Sequence, residues 1–81
     1  MIYELIPIYD RQRSFYRKAL VINELGVTFL KSYDTTVCAI NENGTFIRLW
    51  NGYSATTMRH INEFRLQNGM DKLSKADWLA L

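Results

Sequence analysis

The stretch that decides the fold is Ser54–Gly69, SATTMRHINEFRLQNG. It carries its own start, buried face and end. Ser54 can accept an orphan backbone N–H of the first helical turn. Asn68-Gly69 supplies the residue that tolerates the left-handed C-terminal conformation. Between them Ala55, Met58, Ile61 and Phe64 recur at three-residue steps as an apolar stripe. The spacing predicts one long amphipathic helix of about four turns, roughly residues 54–68.

Upstream of this helix the chain reads as strands. Ile2–Tyr9 is rich in β-formers, but Pro7 cannot donate to a ladder, so the segment is expected as an edge strand or an extended arm. Phe15–Asn23, Val27–Tyr33, Thr36–Asn41 and Thr45–Trp50 are dense in Val, Ile, Thr, Tyr and Phe and are separated by turn residues. Asn43-Gly44 suits a two-residue type I′ turn, which would set Ile40 against Ile47 and Cys38 against Leu49. A turn at Asp34-Thr35 would place Phe29 beside Ile40. A three-residue loop Glu24-Leu25-Gly26 would place Val21 near Phe29. The inner face is then Val21, Phe29, Cys38, Ile40, Ile47 and Leu49. Leu20, Ile22, Leu30, Val37 and Trp50 fall on the outer face beside Lys31 and Arg48. So apolar an outer face calls for a cover: the amino-terminal arm and C-terminal helix, or another molecule, including a second copy in a homodimer. Ser74-Lys-Ala-Asp77 reads as a capping box opening a short helix over residues 75–81.

The expected architecture is α+β: an antiparallel meander of four to five strands over residues 2–50, packed against the long helix, with the short helix last. The 81 residues suffice for one small domain. A single cysteine leaves no internal disulfide and fits a reducing, cytoplasmic setting. No signal peptide is visible, and no apolar run approaches the ~20 residues that span a bilayer. The net charge of +2 is too small to demand nucleic acid as partner.

Candidate chemistry is sparse. His60 is the only histidine, expected half-exposed on the polar side of the helix, and Cys38 is expected in the core. With no Gly-rich phosphate loop and no metal-ligand cluster, neither an enzyme nor a cofactor or metal site is expected. Binding residue types remain. Arg48, Trp50 and Tyr53 flank the turn before the helix and suit a protein partner, though the aromatics also suit a staple at that corner. Arg11, Arg13, Arg17 and Lys18, interleaved with Phe15 and Tyr16, suit the rim of such a surface or contacts to phosphate. Arg65 sits within the apolar arc of the helix, where Leu66 would fit better.

SFYRKALVI (Ser14–Ile22), LKSYDTTVCAI (Leu30–Ile40), RLWNGYSATTMRHINEF (Arg48–Phe64) and QNG (Gln67–Gly69) resemble a family of small proteins of phages, plasmids and integrative elements of Gram-positive and gut bacteria. YSATTMRHINEF is the most specific block. That family has a small residue, often Gly, where Arg17 stands, and Leu before Arg where this chain reads Arg65-Leu66. The resemblance implies a mobile-element accessory protein in a bacterial cytoplasm, with no catalytic residues to carry over. By analogy, it implies an inhibitor of a host defence nuclease, of anti-CRISPR or anti-restriction type. The alternative is a small nucleic-acid-binding regulator using the Arg11–Lys18 cluster.

Overall fold

The computed structural model describes residues 1–81. Five strands, β1 (Ile2–Glu4), β2 (Ala19–Glu24), β3 (Val27–Ser32), β4 (Thr35–Ile40) and β5 (Phe46–Arg48), form one antiparallel sheet in sequential order. Two helices follow, α1 (Ala55–Gln67) and α2 (Lys75–Leu79). The α+β meander is as expected. However, α1 has 13 residues and is of ordinary length rather than long.

Its ends form where the sequence places them. Ser54 Oγ accepts the Thr57 N–H at 3.0 Å. Past Asn68, Gly69 takes φ +77°, its N–H reaches Leu66 O, and the Met70 N–H reaches Arg65 O. This pair of bonds is a Schellman ending. Ser74 and Asp77 close the capping box of α2.

The strand registers depart from expectation, and the turns explain why. Around Asn43-Gly44 the loop is one residue longer. The side-chain oxygen of Asn41 accepts the N–H groups of both Asn43 and Thr45, and Gly44 alone is left-handed. Such a loop, a three-residue turn with a glycine bulge, is favoured when an Asn side chain can organise it. Ile40 therefore pairs with Phe46, Ala39 with Ile47 and Cys38 with Arg48. The one-residue slip reverses β5: Phe46 and Arg48 face inward, Ile47 and Leu49 outward. At the β2–β3 hairpin the loop is two residues, Leu25-Gly26, both at positive φ. Val21 thus pairs with Leu30, not Phe29. Between β3 and β4 a bulge makes Val37 the extra residue, so Val37 and Cys38 both turn inward and Phe29 lies outward opposite Ala39. The strand expected from Phe15 begins only at Ala19. Phe15 is instead buried ahead of a turn in which Tyr16 and Arg17 are both left-handed.

The core comprises Leu5, Phe15, Ala19, Val21, Leu30, Val37, Cys38 and Ile40 under Met58, Ile61 and Phe64 of α1 and Trp78 of α2. Both helices contribute to this one cluster, so they share one face of the sheet. The amino-terminal arm does not cover the other face either. The Glu63 carboxylate accepts the backbone N–H groups of Ile8, Tyr9 and Asp10 at 2.8–3.3 Å, which holds the arm beside α1. The outer face is left open: Leu20, Ile22 and Phe29 are half-buried around Ala39, while Ile2, Ile47 and Leu49 are 64%, 39% and 49% exposed.

Two outcomes follow from the backbone and the arm. Arg17 at φ +62° carries a side chain where glycine is at ease, so Arg17→Gly is expected to raise the unfolding free energy by about 1 kcal/mol in urea titration. Glu63→Gln removes the charge that three amides share. It is expected to cost about 2–3 kcal/mol and to speed amide hydrogen exchange at Ile8, Tyr9 and Asp10. Protection unchanged at those three amides would mean the arm is held by something else.

Candidate functional site

His60 is not half-exposed but 2% exposed. The reason is that this part of α1 is covered on two sides, by the end of β3 and by Phe15 in the loop that follows the arm. Phe15 lies against the imidazole at 4.5 Å between centroids and Tyr33 at 5.8 Å. Ser32 Oγ sits 2.8 Å from His60 Nδ1 and 3.0 Å from Thr57 Oγ1. A hydroxyl beside an imidazole has the form of a nucleophile and base. Here Ser32, Thr57 and His60 are all sealed from solvent, so no reacting atom reaches them; the trio satisfies buried polar atoms. Cys38 is fully buried and unpaired, and burial pushes its thiol pKa far up, which leaves it unreactive. No group of three or more His, Cys, Asp or Glu side chains is gathered to hold a metal. No helix is long and apolar enough to cross a membrane.

The sequence-predicted partner residues divide between opposite edges of the sheet. Arg48, Trp50 and Tyr53 come together where β5 leads into α1. Contrary to the outer placement expected for Arg48 and Trp50, both lie on the helix side. The Arg48 guanidinium donates to Trp50 O and Asn51 O, each at 2.8 Å, and lies 4.7 Å over the Trp78 ring. The Trp50 ring packs against the core and closely over Gly52, where a Cβ would collide with the indole. Trp78 Nε1 donates to Gly52 O at 2.8 Å. Tyr53 is 38% exposed with the Lys75 ammonium 4.7 Å above it. The corner is thus an internal joint between sheet, α1 and α2. Arg65 is used in the same way, 4.5 Å over Phe46 with its Nε on Asp71 O.

At the other edge Arg11, Arg13, Arg17 and Lys18 are all exposed, as is Tyr16. The Arg17 N–H donates to the Glu4 carboxylate, which ties this turn to β1. The one salt bridge of the chain is Arg59–Asp10, at 3.2 Å. Burial opposes ionisation of Asp10, but the Gln12 N–H and the Arg59 guanidinium outweigh it and hold its pKa below the ordinary value.

Sequence reasoning missed two groups, the Ser32–Thr57–His60 trio and Glu63. The available signal was spacing: Thr57, His60 and Glu63 recur every three residues beside the apolar stripe, as a second buried face would.

Burial lowers the pKa of His60, while the Asp10 charge pulls weakly the other way. The native state then binds fewer protons than the unfolded state, whose imidazole titrates near 6.5. This stability is present above that value and is lost as pH falls through the folded pKa. Urea midpoints are expected to drop between pH 7 and 5, and to drop less in His60→Gln.

No curated protein and no solved structure shows significant similarity to the chain. Residues 3–80 match the model of a family of unknown function, DUF8033, and the chain belongs to that family.

Proposed function

We propose that this protein is a non-enzymatic accessory module that acts by stoichiometric binding to another protein through the open outer face of its sheet. One observation carries the reading. Ile2, Ile22, Phe29, Ala39 and Ile47 form a continuous cross-strand row on that face, and neither helix nor the amino-terminal arm covers it. Contiguous apolar surface of this kind, rimmed by polar residues, is what interaction sites expose. Lys31, Glu4 and Glu24 lie on the same face by the strand registers, so a rim of mixed charge would complement it. A protein surface with an apolar centre and an edge of mixed charge is the fitting occupant. The context implied by resemblance makes a host defence nuclease the class of target to test, in a bacterial cytoplasm. Arg48 is committed to the joint described above. Trp50 and Tyr53 remain contacts only at the margin, because their rings are partly used inside the fold.

A second reading, a nucleic-acid-binding regulator, is favoured by the exposed Arg11, Arg13, Arg17 and Lys18, none of which meets a carboxylate side chain in an ion pair. Salt separates the two, since phosphate binding weakens steeply with ionic strength and apolar contact does not.

The test uses Ile22→Lys and Ile47→Lys, each verified as folded by circular dichroism, against purified CRISPR and restriction nucleases. Wild type is expected to inhibit at a fixed molar ratio, and both variants to lose binding at least tenfold. Folded variants that inhibit fully would remove the outer face as the site. Inactivation of excess target by substoichiometric protein would mean turnover and end the non-enzymatic reading. Sedimentation of the protein alone reports whether a second copy occupies the face instead. Arg48→Ala, in contrast, is expected to cost about 2 kcal/mol of stability, through two lost charge-assisted hydrogen bonds and a ring contact.

A further inference from the structure

A cleft of about 280 Å³ runs between the arm, α1 and Lys72, remote from the outer face of the sheet. Its apolar side is Met58 and Leu66 of α1, and the Tyr9 ring, 61% exposed, borders it. Two carboxylates, Asp10 and Glu63, also line the cleft, and both are already engaged. Glu63 takes the arm amides and the Gln67 side chain, and Asp10 takes the Gln12 N–H and Arg59 Nε. Arg59 gives only Nε to that pair, so the two terminal nitrogens of its fork are unoccupied. Arg11 and Lys72 line the same cleft and form no salt bridge. Every uncommitted charged group of the cleft is therefore a cationic donor.

We infer that this cleft binds a phosphate ester, with the phosphate among Arg11, Arg59 and Lys72 and a flat organic body against Tyr9 over Met58 and Leu66. Three donors arriving from separate residues suit a tetrahedral anion better than a planar carboxylate, and the Arg59 fork suits two of its oxygens. The volume lies just under the ~300–1,000 Å³ of sites for drug-sized ligands, which is room for one nucleotide unit. Two sources carry that chemistry, a free mononucleotide and one residue of a single strand.

The test is titration of ¹⁵N-labelled protein with inorganic phosphate, adenosine monophosphate and a short oligothymidine. Saturable shifts are expected at Tyr9, Arg59 and Asn62, with the mononucleotide at least threefold tighter than phosphate. Arg11→Gln and Lys72→Gln leave the Asp10–Arg59 pair intact and are each expected to weaken the mononucleotide about tenfold, against less than twofold for Lys18→Gln. An oligonucleotide tenfold tighter than the mononucleotide identifies a strand as the source; equal or weaker affinity identifies the free nucleotide. Shifts that fail to saturate, or equal losses in Lys18→Gln, would overturn the site. Such a failure leaves the outer-face reading standing, because Ile22→Lys and Ile47→Lys do not touch the cleft.

Discussion

The carboxylate of Glu63 decides where the amino-terminal arm lies. An ionised carboxylate beneath the arm costs several kcal/mol to desolvate unless its oxygens are met by donors. The donors here are successive amides of the arm, Ile8 to Asp10, joined by Gln67 from the next helical turn. Pro7 has no N–H to offer and stands immediately before the first of them. The arm is thereby committed to the flank of α1. Two consequences follow from that one attachment: the opposite face of the sheet stays open, and a cleft remains between arm and helix.

The joint at the other edge uses cations in place of a carboxylate. Arg48 and Arg65 both point inward, which an apolar stripe would not suggest. Each lays its guanidinium on an aromatic face, Trp78 or Phe46, and spends its N–H groups on backbone carbonyls. A guanidinium is weakly hydrated and planar, so it can stack and donate at once where an ammonium could not. The same side chains thus fasten the turn before α1 and the segment after it. Arg65, within the apolar arc, fastens the short C-terminal segment through Phe46 and Asp71 O.

What the sequence disclosed and what it hid have different physical origins. The ends of α1 and α2 were legible because caps are local: Ser54, Gly69 and Ser74–Asp77 act on backbone within a few residues. Strand existence was legible for the same reason. Register was not, because it hangs on turns whose residues disguise themselves. Leu25, Tyr33, Tyr16 and Arg17 all adopt positive φ without being Gly, Asn or Asp. Asn41 lies outside the Asn43-Gly44 pair that draws the eye, yet its side chain lengthens that loop by one residue. Each such shift exchanges the faces of a strand, which moved Phe29, Ile47 and Leu49 outward and Leu30, Val37, Trp50 and Arg48 inward. Of the candidate site, the exposed Arg11–Lys18 cluster was readable from composition. Glu63 was not, since nothing local to a helical Glu reveals an arm 53 residues or more away in sequence.

The corrected faces also explain why the outer side is so apolar. Strand β4 is buried along most of its length: Thr35–Ile40 ends in four buried residues, with Val37, Cys38 and Ile40 in the core and Ala39 on the outer face. Ala39 is small, and at 2% exposure it lies buried between its larger cross-strand neighbours Phe29 and Ile47. Those neighbours are themselves only partly covered. Strand β4 is thus shielded on the outer side by one layer of side chains, not by a second layer of backbone. A sheet held together by a single helical layer needs no apolar side chains on its far face for folding, because polar residues fill pleated positions as well. Leu25 presses the same point at the hairpin tip, where it is 98% exposed in a conformation that disfavours any branched side chain. A leucine at that position costs solubility and local conformational energy, and at 98% exposure it gains no burial to offset either.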